Sequence, residues 1–515
     1  MVASTTTTTT EEFLHAINPL QNHRHTTTMH EVVEEMKRLS DISFPITAMG
    51  LLNYLKNMTS VVSMGRLGSL ELAGGALAVG FTNITGYSVL SGLASGMEPL
   101  CGQAFGSKNF SLASLTLKRT ILLLLLASLP ISLLWLNLHP LMLVLRQNPP
   151  IINIASLYCR FALPDLLANS VLHPIRIYLR SRGTTWPLMW CTLLSVIFHV
   201  PITWLFTFYL SLGVAGVAVS SVVSNFISLF FLLCYMCTCT DEIDIDDNDS
   251  TTRTATRSCL KTPLMMMSLS GSTKDREIWS SLVRLAVPSC VAVCLEWWWY
   301  EFMTILAGYL PEPEVALAAA AIVIQTTSLL YTIPTALSAA ASTRVSKELG
   351  AGRPERARTA AGGAAAASVV GLVGTIVGRE AWGRIFTANT AVIELAAAVL
   401  PVVGLCEVGN CPQTTSCGIL RGSARPGVGA KINFYAFYMV GAPLAVVLGF
   451  VFRLGFLGLC YGLLGAQIVC AMTILTVVYN TVWEIESLKA RDLVGKIGIL
   501  RADDSVLVKC EEGRH

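Results

Sequence analysis

The sequence predicts an all-α polytopic membrane protein of twelve transmembrane helices in two pseudo-symmetric lobes of six. Three observations carry that expectation. Of the 515 residues, 53% are hydrophobic and only 13% charged, with a mean hydropathy of +0.60; a soluble chain would carry about 25% charged residues. Apolar segments recur along the chain, each close to the roughly 20 residues a helix needs to cross a bilayer. A long polar stretch at mid-chain divides them into two groups of six, with matching features at a nearly constant offset. The net charge of +3 says little about partners, because cations in such a chain are distributed by topology. A lipid bilayer is the expected surrounding, and no nucleic-acid partner is expected.

Residues 1–40 read as a polar arm. The run Thr5 to Thr10 lacks apolar surface to bury, and His30 to Leu39 has the pattern of a short amphipathic helix at the membrane surface. No signal peptide precedes it. The first lobe is expected over 41–237, with spans near 42–64, 72–98, 119–138, 154–176, 187–209 and 213–237. A polar linker follows over 238–279, with an acidic run at 241–249 that lacks the Gly and terminal Glu of a calcium loop. The second lobe, 280–482, carries spans near 282–308, 315–343, 359–378, 391–418, 430–452 and 456–482, and 483–515 form a polar tail. Prolines at 45, 164, 174, 201, 288, 334 and 443 fall inside spans and are expected to kink them.

Charge sets the orientation. The two tails, the central linker and the loops on their side hold 28 of the 36 Lys and Arg; the opposite side has only Arg66, Arg146, Arg379, Arg384 and Arg453. The positive-inside rule then puts both termini in the cytosol. The 15 cysteines show no disulfide framework, and Cys234, Cys237 and Cys239 read as juxtamembrane thiols. No metal site is expected.

The halves look like repeats. A shift of 243 lays Pro45 on Pro288, Asn53 on Glu296 and Gly65 on Gly308. One inserted residue later, Gln103 to Lys108 match Lys347 to Gly352, both in the loop after each half's second span. Six spans is even, so both halves enter from the same side, related by an axis along the membrane normal. A cavity between two such lobes is the architecture of alternating access.

The chemistry concentrates on Arg284 to Phe302. Arg284 marks the interface, and Glu296 lies twelve residues further in, about 18 Å deep at about 1.5 Å per residue. Glu407, fourteen residues from Arg421, comes out at about 21 Å. An intramembrane acid reads as a functional site facing a cavity, or as a neutral or paired structural carboxyl. Two acids at one depth could share a cavity, and burial and mutual repulsion oppose two bare charges there, which suits the pair to taking up a proton. Lys56 is similarly deep. It reads either as a partner of Glu296 or Glu407 or a holder of an anionic substrate, or as a lysine turned toward water. Trp297, Trp298 and Trp299 offer an aromatic wall, although three consecutive residues splay around a helix and one must face lipid. His199 is a proton relay or a hydrogen-bonded core histidine. Arg160 and Asp165, five apart, do not face each other. Glu98 reads as structural.

At this point motifs become recognisable. Leu70-Glu-Leu-Ala-Gly, Thr82-Asn-Ile-Thr-Gly-Tyr-Ser, Gly96-Met-Glu-Pro-Leu-Cys-Gly-Gln-Ala-Phe-Gly, Cys294-Leu-Glu-Trp-Trp and Ala339-Ala-Ala-Ser-Thr-Arg-Val-Ser-Lys-Glu-Leu-Gly-Ala-Gly resemble the multidrug and toxic compound extrusion (MATE) family. The resemblance runs from about residue 31 to 486. It is closest to the plant detoxification efflux carriers, and Gly404 to Thr415 with Leu420 to Pro426 look like one subgroup associated with hormone-like solutes, organ growth and senescence.

The resemblance implies export of small organic solutes (xenobiotics, secondary metabolites or hormone-like compounds) in exchange for protons, with no cofactor beyond the coupling ion. It implies a proton and substrate site at Glu296. The family often pairs that glutamate with an aspartate on the tenth helix, where this chain has Asn410; Glu407, one turn earlier, is the candidate to take over. Gln325, Tyr331 and Pro334 match positions lining the second lobe's cavity in relatives. The expected site is therefore Glu296 and Glu407 for proton coupling, with Asn53, Lys56, Trp297, Gln325, Tyr331 and Asn410 lining the substrate cavity. The expected unit is a monomer in the plasma membrane or a vacuolar or endosomal membrane. Two other readings stand beside it: a major-facilitator carrier, whose signature loop is replaced here by Cys101-Gly-Gln-Ala-Phe-Gly-Ser-Lys-Asn, and a non-transporting sensor or scaffold recruiting cytosolic partners. An enzyme is not expected, because no nucleophile–base pair is found.

Overall fold

A computed structural model describes residues 29–144, 148–238, 273–370 and 390–495. The twelve long helices among them are α1 (Met29–Leu67), α2 (Leu70–Gly106), α3 (Phe110–Leu136), α4 (Pro149–Arg182), α5 (Trp186–Tyr209) and α6 (Gly213–Thr238), then α7 (Thr273–Ala307), α8 (Val315–Gly350), α9 (Pro354–Val370), α10 (Thr390–Gly422), α11 (Pro426–Val451) and α12 (Gly455–Tyr479). A further helix occupies 483–495. All but α1 and α9 are long and apolar enough by composition to cross a bilayer. The predicted ninth span, 359–378, is described only as far as residue 370, and most of the predicted central linker and the ends of both tails lie outside the described residues.

Two boundaries differ from expectation. The segment His30 to Leu39 is no separate surface helix: it continues into the first span as one helix of 39 residues, about 58 Å long. Pro45 sits inside it without breaking it. The helix α7 begins at Thr273, so the last residues of the predicted linker extend the seventh span by about two turns. In both places charged residues line a helix that outlasts the apolar stretch, and length alone carries it beyond a hydrocarbon core of about 30 Å.

The repeat is visible in the backbone itself. After α2, Ser107 N bonds Gln103 O at 2.9 Å and Asn109 N bonds Ala104 O at 2.8 Å; after α8, Ala351 N bonds Lys347 O at 2.9 Å and Arg353 N bonds Glu348 O at 2.9 Å. Between them stand Lys108 at φ 60° and Gly352 at φ 71°. This left-handed turn is where a helix commonly stops, and glycine takes it without strain. The ends of α5 and α11 correspond too. Leu210 N reaches back five residues to Leu205 O (2.9 Å) and Phe452 N to Val447 O (3.0 Å), each a widened helical turn. Ser211 and Arg453 then take φ 52° and 56°, and Gly213 and Gly455 take 57° and 61°. Two halves that stop, widen and restart at matched places are copies of one six-helix unit.

Buried apolar side chains form two large clusters. One is built mainly from α2 to α6, around Leu90, Met97, Trp135, Leu166 and Leu172; the other from α7 to α12, around Trp299, Leu349, Phe437, Leu459 and Leu463. The halves meet where α2 lies against α7 and α8, and α1 against α8. Small residues make that approach possible: a Cβ on Gly96 would stand 2.3 Å from Ala286 Cα. The seam is closed at the end where α2, α4, α8 and α10 terminate, the end that holds most of the basic side chains. Arg344 on α8 grips Glu35 on α1 with two bonds, of 2.6 and 2.9 Å, and Glu348 at 2.8 Å. Arg38 reaches Glu35 at 3.8 Å and also pairs with Glu34. A second group places Glu98 of α2 between Arg180 (2.7 Å), Ser342 (2.6 Å) and Arg421 (3.3 Å). Arg180 belongs to its own half; the other two come from across the seam. Glu98 is structural, as expected, but its partners are on helices rather than in a loop.

Candidate functional site in the second half

Glu296 on α7 and Glu407 on α10 are both buried, at 9% and 7% exposure, and they converge. Asn410 Nδ2 donates to Glu407 Oε2 at 2.8 Å. The Thr414 hydroxyl sits between Asn410 Oδ1 (3.2 Å) and Glu296 Oε1 (3.5 Å) and donates to either. Tyr331, at the interruption of α8 just before Pro334, is hydrogen-bonded to Glu296 from the other side. Asn410 and Thr414 thus connect the two carboxylates through neutral hydrogen-bonding groups. Among the described residues no Lys, Arg or His nitrogen lies within 4.0 Å of either acid.

Helix geometry accounts for the arrangement. Residues 407, 410 and 414 recur at three and seven positions and therefore share one face of α10. Thr414 went unnoticed in the sequence although this spacing was available to find it. The facing helix α8 comes close because α10 presents glycine there: a Cβ on Gly418 would stand 2.2 Å from Ser338 O. At that distance Ser338 Oγ donates to the Thr414 carbonyl at 2.6 Å. The polar run continues along α10, where Gln413 Oε1, Thr415 Oγ1 and Ser416 Oγ are buried with no hydrogen-bond partner among the described residues.

The predicted tryptophan wall divides three ways. Trp299 is fully buried in the second core, against Phe437, Phe302 and Tyr438 at ring distances of 5.6, 5.8 and 6.0 Å. Trp298 is 42% exposed and donates across the seam to Ile84 O at 3.2 Å. Trp297 alone remains partly buried without a place in either role. Gln325 and Asn53 are also partly buried, on α8 and α1, and neither belongs to the acid cluster.

Lys56 does not pair with Glu296 or Glu407, contrary to one expectation. Its Nζ donates to Asn225 Oδ1 at 2.7 Å, and Asn225 Nδ2 donates to Asp165 Oδ1 at 2.6 Å. Tyr87 OH donates to Asp165 Oδ2, also at 2.6 Å. Equal depth fixed the height of Lys56 but not the side of α1 from which it projects, and that side faces its own half. His199 is a hydrogen-bonded core residue, fully buried, with Ser224 Oγ at 2.7 Å from Nδ1 and Ser60 and Thr203 at 3.4 and 3.3 Å from Nε2. Arg160 is exposed, apart from Asp165.

Comparison with known proteins identifies the family and the fold. The MatE family model matches residues 45–205 and 288–447, so its two copies start at Pro45 and Pro288, at the offset of 243 already read from the sequence. Protein DETOXIFICATION 55 of Arabidopsis thaliana is 73% identical over 497 residues, covering 96% of this chain and 97% of the relative. Protein DETOXIFICATION 51 of the same plant is 48% identical over 469 residues, covering 90% and 84%. The crystal structure of the eukaryotic MATE transporter AtDTX14 superposes with a TM-score of 0.81 at 30% identity, over 90% of this chain and all of that one. An outward-facing MATE transporter of the MOP superfamily, at 15% identity and a TM-score of 0.73 over 91% and 97%, shares the fold. The chain belongs to the MATE family of transporters, with twelve helices in two lobes, and is not an enzyme.

Proposed function

We propose that this transporter exports small organic solutes in exchange for protons, by alternating access, and that Glu296 and Glu407 hold the coupling proton. The observation that carries the proposal is the C-lobe cluster: two buried acids joined by Asn410 and Thr414, with no ion-pair partner for either among the described residues. An uncompensated intramembrane carboxylate costs least when it exchanges a proton or meets a cationic ligand. In the outward-facing state, protons from outside the cytosol neutralise Glu296 and Glu407, weaken the hold on substrate and permit return. Substrate from the cytosol then displaces the proton. Trp297, Gln325, Tyr331, Asn53 and Asn410 would line the cavity. Lys56 is reassigned to the internal support of the N-lobe.

The basic end of the bundle is assigned to the cytosol, with both termini, on the distribution of Lys and Arg. Residues 41–237 and 280–482 would act as the two moving lobes, within one chain, in a plasma, vacuolar or endosomal membrane. The substrate range follows the resemblance: xenobiotics, secondary metabolites or hormone-like compounds.

Uptake of a fluorescent solute such as ethidium into proteoliposomes under an imposed pH gradient tests the reading. Glu296→Gln and Glu407→Gln are expected to abolish the response to the gradient. Unchanged gradient-driven flux in Glu296→Gln would sink the assignment, and flux driven by sodium alone would replace the proton with another ion.

A further inference from the structure

We infer that Arg421 is a positioning residue that ties the C-lobe acid cluster to the closed inter-lobe seam, so that one side chain reports the state of the site to the gate. The inference rests on the cluster being the coupling site and names the connection that the transport reading leaves open.

The connection can be followed atom by atom. Glu407 accepts from Asn410, Asn410 accepts from Thr414, and the Thr414 hydroxyl also faces Glu296. The carbonyl of the same Thr414 accepts from Ser338 Oγ at 2.6 Å. Ser338 Oγ in turn accepts from Arg421 Nη2 at 2.9 Å, and Arg421 Nε donates to Glu98 Oε2 at 3.3 Å. Glu98 is in the other lobe. It is 5% exposed, and its remaining partners are Ser342 across the seam and Arg180 within its own lobe. Two runs of hydrogen bonds, joined through Thr414 from its hydroxyl to its own backbone carbonyl, therefore lead from the acids to the contact that closes the basic end.

The participants suit that task. The guanidinium of arginine is a rigid fork that can engage two acceptors at once, which lysine's single ammonium cannot do in the same geometry. Arg421 uses one arm on Ser338 and another on Glu98. The charged and titratable groups around it are Glu98 from α2, Glu296 from α7, Tyr331 from α8 and Cys417 from α10 itself; those around Glu98 are Arg180 from α4 and Arg421 itself. When a proton or substrate neutralises Glu296, the attraction between Glu296 and Arg421 weakens on one side only. The fork must then redistribute between Ser338 and Glu98. On the alternating-access reading the seam has a closed and an open state; it is closed here, and opening it at this end means separating Glu98 from Arg421 and Ser342. A path of contacts has allosteric content only when both ends bias such an element.

Hydrogen–deuterium exchange of the full-length protein in lipid nanodiscs tests this at acidic and neutral pH, read on peptides from residues 97–106 and 338–350. In the parent protein, exchange at the seam should fall on acidification, because a neutral Glu296 no longer draws Arg421 away from Glu98. Glu98→Gln removes the charge that holds Arg421 and should raise seam exchange about tenfold at both pH values. Ser338→Ala and Arg421→Lys keep both acids and the overall charge but break the connection, so seam exchange should no longer respond to pH. A merely structural role would raise exchange in these variants while preserving the difference between the two pH values, and that outcome overturns the inference. So does protection of the seam in Glu98→Gln equal to that of the parent. If the Glu296→Gln, Glu407→Gln double variant keeps the pH response while Ser338→Ala loses it, the acid assignment falls and the role of Arg421 at the seam stands.

Discussion

Arg344 offers the sharpest test of how the two lobes are held together. Its guanidinium forms a bidentate pair with Glu35 and a third bond to Glu348, and all three side chains are nearly buried, at 11%, 6% and 7% exposure. Removing one member of a buried ion group costs more than removing the group, because the charges left behind lose their compensation. Arg344→Gln strands two carboxylates. Such changes cost about 3–5 kcal/mol. The lower end applies here, since Arg38 stays 3.8 Å from Glu35 and Arg353 stays 3.7 Å from Glu348.

The order of a variant series follows from that. Arg344→Gln should be the least stable, with Glu35→Gln/Arg344→Gln recovering about half of the roughly 3 kcal/mol loss because one stranded charge has gone. Adding Glu348→Gln should return the protein close to its starting stability. Thermal unfolding of the purified protein, followed by tryptophan fluorescence at fixed detergent and salt, gives the ranking directly. A double variant no more stable than Arg344→Gln alone would refute the reasoning, because it would mean that the loss comes from packing and not from uncompensated charge.

Three further outcomes are expected. Asn410→Ala keeps both acids but removes the donor to Glu407 and the acceptor for Thr414, two bonds worth about 1 kcal/mol each; pH-gradient-driven flux in proteoliposomes should fall about tenfold while expression and folding persist. Trp299→Ala should destabilise the C-lobe by about 3–5 kcal/mol, measured by chemical denaturation, whereas Trp298→Ala should cost no more than about 1–2 kcal/mol for its lost bond to Ile84 and partial packing. Lys56→Met leaves the Asn225 carbonyl oxygen without its donor and removes the cation linked to Asp165 through Asn225. It should lower stability, recover in part in Lys56→Met/Asp165→Asn, and leave the pH dependence of transport as in the parent.

What was legible in the sequence depended on whether the relevant order was local. The repeat could be read because it is a periodic property of the chain: the same turn after α2 and α8 and the same widened turn ending α5 and α11 recur at 242 to 244 residues. The acid pair could be placed because depth is proportional to residue count along a helix. Azimuth is not, and this is why depth alone leaves open which lobe Lys56 faces. Glu35–Arg344 and Glu98–Arg421 lie 309 and 323 residues apart and cross between lobes. No spacing rule reaches that far; the pairing is decided by which helices pack, through small residues such as Gly96 and Gly418. The tryptophans sit between these cases. Three consecutive residues had to splay, but only packing against Phe437 shows that Trp299, rather than Trp297, belongs to the core.

The two lobes share a fold and differ in how they settle their buried charge, and that difference locates the chemistry. In the N-lobe the acid is Asp165, both of whose oxygens are taken by short bonds from Tyr87 and Asn225, with Lys56 one residue beyond through the Asn225 amide. Its negative charge is answered inside its own lobe, so a proton arriving there would have to displace existing partners. In the C-lobe the repeat places Glu296 where the N-lobe has Asn53. Glu407 lies nearby, and both are linked only to neutral groups. The cation nearest in role, Arg421, is committed to Glu98 across the seam. On the proposed coupling, charge in the C-lobe is answered either by a proton or ligand that reaches the acids, or by Arg421 at the expense of its bond to Glu98. A transporter needs its ligand site and its gate to compete in this manner. The same competition makes a specific demand on Glu98→Gln, whose Arg421 is released from the gate. With its guanidinium free to turn toward Glu296, this variant should lose affinity for cationic solutes even though Glu98 touches neither the acids nor the cavity, and ethidium binding that matches the parent would break the argument.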